Sequence, residues 1–197
     1  MVNLAHRASL LGTETAFTVL ARAAELTRQG RDIINLGIGQ PDFSTPEHIV
    51  EAGIKALRDG HHGYTPSGGI LPLKEAVAAN IHQRLGTEVS PANIQILPGG
   101  KVVIFFAAIL CGEEGGEIIY PDPGFPIYQS AIQFSGGTPR PYPLKEENDF
   151  AFSADDVLSR ITPNTRLVIV NSPANPCLLY TSPSPRDLST SRMPSSA

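Results

Sequence analysis

The fold is decided by the stretch Ile94–Tyr142, IQILPGGKVVIFFAAILCGEEGGEIIYPDPGFPIYQSAIQFSGGTPRPY, in which short apolar runs alternate with helical segments. Short strands that alternate with helices are typical of a parallel sheet whose strands are joined by crossover helices. The sequence therefore predicts an α/β fold with a mostly parallel sheet. The predicted strands are 94–97, 117–120, 138–142 and 166–170, and the predicted helices between them are 101–110, 125–134 and 153–160, the last capped by Ser153.

The region before this stretch is predicted to be mainly helical. Apolar residues at helical spacing indicate a helix that starts at the cap Thr13 and ends at Gly30, followed by a short extended piece at 33–37. Thr45 is predicted to cap the next helix, with Pro46 as its first residue. The other predicted elements here are helices at 47–57 and 73–85, the second closed by Gly86, and a loop at 60–69.

Composition excludes several classes of protein. The chain has 197 residues, of which 41% are hydrophobic and 17% charged, and its formal net charge is -4. This mixture fits an ordinary folded domain and gives no electrostatic reason to expect nucleic acid or an anionic membrane as a partner. The longest apolar run, Val102–Cys111, is too short to span a bilayer, and the start of the chain does not resemble a signal peptide. With Cys111 and Cys177 as its two cysteines, the chain has no disulfide framework, so we expect it in the cytoplasm.

Parallel sheets bind ligands at the carboxyl ends of their strands, so we expect the loops 98–101, 121–125 and 171–176 to lie along one edge. The first loop holds Gly99-Gly100-Lys101 between a predicted strand and a predicted helix. Glycines before a helix amino terminus can bring unpaired N–H groups close to a phosphate. A plain strand-to-helix turn has the same pattern, so these residues do not decide between the two interpretations.

The other two loops carry an aromatic ring and an amide. Phe125 could stack on a flat heteroaromatic ring or could simply plug the start of a helix. Asn175, held by Pro176, could donate a fixed hydrogen bond to a ligand oxygen or could belong to an ordinary polar turn. His61 and His62 are adjacent and lack the spacing of metal ligands, so no metal site is predicted.

In order along the chain, five segments resemble those of class I and II aminotransferases of the pyridoxal-phosphate (PLP) fold type I. The segments are NLGIGQPDFSTPEHI (35–49), GYTPSGGILPLKEAVA (63–78), ILPGGKVVIFFA (96–107), IIYPDPGFPIY (118–128) and VIVNSPANP (168–176). The resemblance implies a three-layer αβα domain, incomplete in this chain and preceded by an N-terminal helix or arm. It implies an arm and small-domain segment at 1–45 and part of the PLP-binding large domain at 46–176.

The resemblance also implies roles for individual residues. Gly99, Gly100 and Lys101 would bind the cofactor phosphate, Phe125 would stack on the pyridine ring, and Asn175 would bond the phenolic oxygen. Gly39 and Asn175 would lie against the substrate, with Gly39 at its carboxylate. Tyr64 would reach the phosphate of a partner subunit's cofactor, so a homodimer is implied. The reaction implied is transamination between an amino acid and a 2-oxo acid.

The resemblance ends inside a motif, because Cys177 and Leu178 follow Asn175-Pro176 where the family continues with Thr-Gly. Residues 177–197 are rich in Ser, Pro and Thr, and we interpret them as a disordered, non-native tail, although a natural flexible terminus has the same composition. In the family, the Schiff-base lysine comes later, so no catalytic residue is assigned and the 197-residue chain alone is expected to be inactive. A PLP-dependent lyase or synthase, or a non-catalytic PLP-fold ligand-binding module, remains an alternative.

Overall fold

The structure, a computed structural model, describes residues 3–12, 15–37, 39 and 43–176, with only the backbone of 15 and 16. The described residues fall into two compact units. One, which we call the sheet unit, contains residues 3–12 and 104–176. The other, the helical unit, contains the described residues from 15 to 103. The domain boundaries at 45 and 176 remain predictions, and the tail at 177–197 lies outside the described residues.

The sheet unit contains a parallel sheet of three strands in the order β2-β1-β3. The strands are β1 Glu117–Asp122, β2 Thr138–Pro143 and β3 Thr165–Val168. Helix α5 Ile127–Phe134 joins β1 to β2, and helix α6 Ala154–Leu158 lies between β2 and β3. The predicted α/β fold with a parallel sheet is therefore confirmed, and so is the alternation of strands and helices in this part of the chain.

Helices cover both faces of this sheet. Because successive side chains of a strand point to opposite faces, Ile118 and Tyr120 face one side and Ile119 faces the other. The first side packs against α5 and against the part of α4 (Gly100–Cys111) that belongs to this unit; the second packs against Val157 of α6. The sheet unit is therefore a three-layer αβα arrangement, as predicted. The buried members of the two clusters are Ala108, Ile118, Tyr120, Tyr128, Ala131 and Ile132 on one side and Ile119, Tyr142 and Leu144 on the other.

The helical unit consists of three long helices and the first turn of α4. The helices are α1 Thr15–Arg28, α2 Glu47–Arg58 and α3 Leu71–Leu85. Gly86 ends α3 in the left-handed conformation, with φ of 67°, and its N–H donates to the carbonyl of His82 at 2.8 Å. This is the C-terminal closure that the sequence predicts.

The predicted cap Thr13 lies outside the described residues, and the cap predictions for Thr45 and Ser153 were partly wrong. Pro46, with ψ of 138°, is the N-cap of α2 and its carbonyl accepts from the N–H of Ile49 at 2.9 Å, so the helix begins at Glu47. Thr45 lies one residue too early to cap, because Pro46 itself is extended. Ser153 does precede α6, but its side chain makes no cap bond and the helix ends at Leu158 instead of Arg160.

The strand predicted at 94–97 is also wrong. This segment does not join the sheet; it lies beside the loop at 67–69 within the helical unit. The N–H of Ile96 donates to the carbonyl of Gly68 at 3.1 Å, and the side chain of Gln95 donates to the carbonyl of Ser67 at 3.1 Å. The apolar character of this run reflects the burial of Ile94. A buried segment can therefore show the pattern of a strand without pairing with one.

Candidate functional site

The loop after β1 presents Phe125 at the carboxyl edge of the sheet. Phe125 is half-buried, and its ring meets the edge of the Tyr128 ring at 80° with a centroid distance of 6.0 Å. Gly124 permits this tight loop, because a Cβ there would lie 2.2 Å from the carbonyl oxygen of Pro121. The ring of Phe125 is therefore held against the core by a buried tyrosine one helical turn further along the chain.

The loop after β3 presents Asn175 at the same edge. Pairing with β1 continues past β3, since the N–H of Ile169 donates to the carbonyl of Ile119 at 2.8 Å. The Tyr142 hydroxyl donates to the carbonyl of Ile169 at 3.1 Å, which ties β2 to the root of this loop. Asn175 itself is exposed. Because β1 and β3 are neighbours and parallel, the loops carrying Phe125 and Asn175 leave the same edge, as predicted.

A hydrogen-bonded link connects the loop after β3 to Tyr128 of α5, the residue that packs against Phe125. In the amide orientation that its neighbours dictate, the oxygen of Asn171 accepts from the Tyr128 hydroxyl at 3.3 Å and from the N–H of Asn175 at 3.1 Å. The same side chain donates to the carbonyl of Pro173 at 3.0 Å. Burial raises the pKa of Tyr128 above its ordinary value, so the hydroxyl stays protonated near neutral pH and can donate.

Sequence reasoning missed Tyr128 and Asn171. Two signals could have found them. Tyr128 lies three residues after Phe125, a spacing that places both side chains on one face of a helix. Asn171 is the first polar residue after the apolar run that ends at Val170, which places it at the carboxyl edge.

Gly99, Gly100 and Lys101 belong at the junction where α4 begins, within the helical unit. Gly99 is left-handed, with φ of 91°, and a Cβ at Gly99 or Gly100 would meet no atom within 4 Å. Lys101 is exposed, and its ammonium lies 4.9 Å from the centroid of the Phe17 ring. A helix amino terminus with open glycines and a cation suits an anion. That these residues share a site with Phe125 and Asn175 remains a prediction.

Gly39 and Tyr64 also lie in the helical unit. Tyr64 is fully exposed, in the loop between α2 and α3. Gly39 is exposed as well, and a Cβ there would meet no atom within 4 Å. Residues 38 and 40–42 beside Gly39 lie outside the described residues. The roles predicted for Gly39 and Tyr64 remain predictions.

At the amino end of β1, a buried carboxylate ties three segments of the sheet unit together. Glu117 accepts from the Thr162 hydroxyl at 2.7 Å and lies 2.8 Å from the Arg140 guanidinium. The hydrogen bond from Thr162, followed by that from Arg140, holds the pKa of Glu117 below its ordinary value. This group lies at the edge opposite to Phe125 and Asn175, and its partners give it a structural role.

Two features are absent from the part of the chain that the structure describes. No group of three or more His, Cys, Asp or Glu side chains in the ranges above is placed to hold a metal ion. None of the described helices has the length and apolarity needed to cross a membrane.

Comparison with known proteins gives one consistent result. The sequence model of the family "Aminotransferase class I and II" matches residues 31–183. Similar proteins include a probable aspartate/prephenate aminotransferase of Aquifex aeolicus, 40% identical over 88% of the chain, and an aspartate aminotransferase of Geobacillus stearothermophilus, 36% identical over 91%. The chain spans 44% and 46% of their lengths.

Solved structures agree with the sequence relatives. Aspartate aminotransferase from Thermus thermophilus with maleate matches with a TM-score of 0.84 and 35% identity, over 89% of this chain and 46% of that one. Alanine aminotransferase from Pyrococcus furiosus matches with a TM-score of 0.82 and 30% identity, over 91% of this chain and 47% of that one. The fold, the five ordered segments and the family match agree, and the chain belongs to the class I and II aminotransferase family.

Proposed function

We propose that this chain forms part of a PLP-dependent aminotransferase, which moves an amino group between an amino acid and a 2-oxo acid. The observation that carries the proposal is the placement of Phe125 and Asn175 in loops that leave neighbouring parallel strands at one edge of the sheet. Ligands of parallel sheets bind at that edge. Family membership supports the same conclusion, because aminotransferases of classes I and II use PLP.

The groups present fit PLP chemically. Phe125 offers an aromatic ring for a pyridine ring, and Asn175 offers an exposed amide for a phenolic oxygen. Gly99 and Gly100 leave open space at the amino terminus of α4, where Lys101 adds positive charge for a phosphate. When bound, PLP supplies an electron sink for electrons released at the α-carbon of the amino acid. These residues would hold and orient it.

Further parts of the proposal concern substrate and assembly. Gly39 and Asn175 would lie against the substrate, and Tyr64 would serve the cofactor site of a second copy of the chain in a homodimer. The complete exposure of Tyr64 supports a role in contact with a partner. We also propose a cytoplasmic location. The relatives named above are aminotransferases, which favours transamination over lyase or synthase chemistry on the same fold.

We propose that Lys101 is not the catalytic lysine. Lys101 stands in the first turn of α4 beside Gly99 and Gly100, so its proposed partner is the phosphate and not the cofactor aldehyde. Borohydride reduction of the PLP-loaded whole protein, followed by peptide mapping, tests this assignment. A label on Lys101 would contradict it.

The function itself is tested in the whole protein that contains this chain. Purified protein is loaded with PLP and assayed for conversion of an amino acid to its 2-oxo acid, starting with aspartate because three of the four similar proteins named above carry that amino acid in their names. We expect Asn175→Ala to weaken PLP binding and Asn148→Ala, an exposed amide in the same unit, to leave it unchanged. A wild-type protein that binds no PLP, or that releases a product without amino transfer, would refute the proposal.

A further inference from the structure

We propose that Asn171 is a positioning residue of the cofactor site, which holds Asn175 in place by joining its loop to the buried Tyr128. The inference rests on the proposed function, since it assigns Asn171 an effect on PLP through Asn175. Asn171 lies within the fifth resembling segment, but the resemblance assigned no role to it.

The geometry places Asn171 where the loop after β3 meets Tyr128 of α5. Its amide oxygen receives the N–H of Asn175 at 3.1 Å and the hydroxyl of Tyr128 at 3.3 Å. Tyr128 is 4% exposed and lies between the rings of Tyr120, at 6.2 Å, and Phe125, at 6.0 Å. The chain of contacts therefore runs from the Phe125 ring through Tyr128 and Asn171 to the backbone of Asn175.

The loop has few other means of holding its shape. Ser172, Pro173 and Asn175 are exposed, while Ala174 packs partly against the core cluster around Ile119. A loop with little burial opens locally at low free-energy cost unless hydrogen bonds close it. Asn171 supplies three such bonds, two accepted and one donated to the carbonyl of Pro173 at 3.0 Å.

The residue type follows from this pattern. An amide both accepts and donates, so asparagine can serve the N–H of Asn175 and the carbonyl of Pro173 with one short side chain. Aspartate keeps the acceptor oxygens and loses the donor. Alanine loses all three bonds and leaves the Tyr128 hydroxyl at a buried position without this partner.

The test uses the whole protein with the variants Asn171→Ala, Asn171→Asp, Asn175→Ala, the double variant N171A/N175A and the control Asn148→Ala. Without PLP, amide hydrogen exchange at Asn175 reports the link directly. We expect N171A to accelerate that exchange roughly tenfold, because the acceptor that protects the N–H of Asn175 is lost. We expect the exchange in N171D and in N148A to stay close to wild type. With PLP, equilibrium dialysis of the cofactor gives the dissociation constant of each variant.

If Asn171 acts through Asn175, N171A weakens PLP binding by roughly fivefold to tenfold and the double variant binds no more weakly than N175A alone. Additive effects, or unchanged Asn175 exchange in N171A, would overturn the positioning role while leaving the proposed function intact. If N171A fails to fold, N171D decides: rapid Asn175 exchange there overturns the role, and retained protection supports it. A wild-type protein that binds no PLP overturns the proposed function and the positioning role with it, even where exchange shows the Asn171–Asn175 bond.

Discussion

In the sheet unit, Ile118, Ile119 and Ile132 are fully enclosed, whereas the described helices α2 and α3 of the helical unit contain no buried residue. Ile94 is the one buried hydrophobic residue among the described positions of the helical unit. Leu57 and Leu85 remain 63% and 72% exposed. The helical unit is therefore held by few buried contacts among the described residues, while the sheet unit has a core of its own.

The largest difference between the units should come from removing one core side chain. Ile119→Ala deletes a fully buried group between β1 and α6 and should cost about 2–5 kcal/mol of unfolding free energy. Ile49→Ala, on the half-exposed face of α2, should cost less than about 1 kcal/mol. Urea unfolding followed by circular dichroism measures both. Equal losses of unfolding free energy in the two variants would contradict the difference between the units.

Within the sheet unit, ligand binding should separate Phe125, packed beside Tyr128 at the carboxyl edge, from an exposed aromatic residue elsewhere. Phe125→Leu keeps an apolar side chain against Tyr128 but removes the aromatic face, so we expect PLP affinity to fall by about three- to tenfold. Phe106→Leu, 49% exposed on α4, serves as the matched control and should leave affinity unchanged. Equilibrium dialysis gives both constants; equal losses would show that Phe125 has no special contact with the cofactor.

Local signals in the helical unit should produce effects of opposite sign at two glycines. Gly86→Ala forces a side chain into the left-handed conformation and should destabilise the protein by about 1 kcal/mol. Gly53→Ala lies inside α2, where a Cβ meets no atom within 4 Å, and should raise stability by up to about 1 kcal/mol. Helical circular dichroism against temperature measures both changes. Effects of the same sign would mean that contacts, not backbone preference, decide this region.

The smallest change is expected at Glu117, and it depends on pH. Because the folded pKa lies below the ordinary value of 4.5, the carboxylate contributes stability above that pH and the contribution is lost as the pH falls through the lowered folded pKa. Glu117→Gln should therefore reduce the fall of the urea midpoint between neutral and acidic pH. Glu113→Gln, an exposed partner of Arg166 at 3.0 Å, is the control and should follow wild type. An E117Q profile identical to wild type would contradict this role.

The sequence predicted the secondary structure best where a local pattern is compatible with only one kind of element. The runs at 117–120 and 138–142 are flanked by glycine turns and helical segments, so parallel strands β1 and β2 followed directly. The run at 94–97 has the same local pattern, but it lies beside a loop and not beside a strand. Periodicity in the sequence cannot identify which segment a run will pair with. Caps failed for a similar reason, since Thr45 satisfies the composition rule while the backbone of Pro46 decides where α2 begins.

For the candidate site, the sequence indicated the loops but not their connections. Phe125 and Asn175 stand directly after apolar runs, and neighbouring parallel strands place those ends together. The link through Tyr128 and Asn171 depends on hydrogen-bond geometry between segments more than 40 residues apart, as the numbering shows. No local spacing encodes such a contact, so it could be found only once the strand order was known.

The Tyr142 hydroxyl gives the sheet an additional constraint. Tyr142 lies on β2, and its hydroxyl donates a hydrogen bond to the carbonyl of Ile169, just after β3. This bond joins the two outer strands of the sheet close to the start of the loop that carries Asn175. Replacing Tyr142 with phenylalanine, a change that is usually mild inside a core, would here remove that hydrogen bond and leave the packing of the ring unchanged. Ile169, just before the loop that carries the proposed cofactor contact, is therefore bonded to β1 through its N–H and to β2 through its carbonyl.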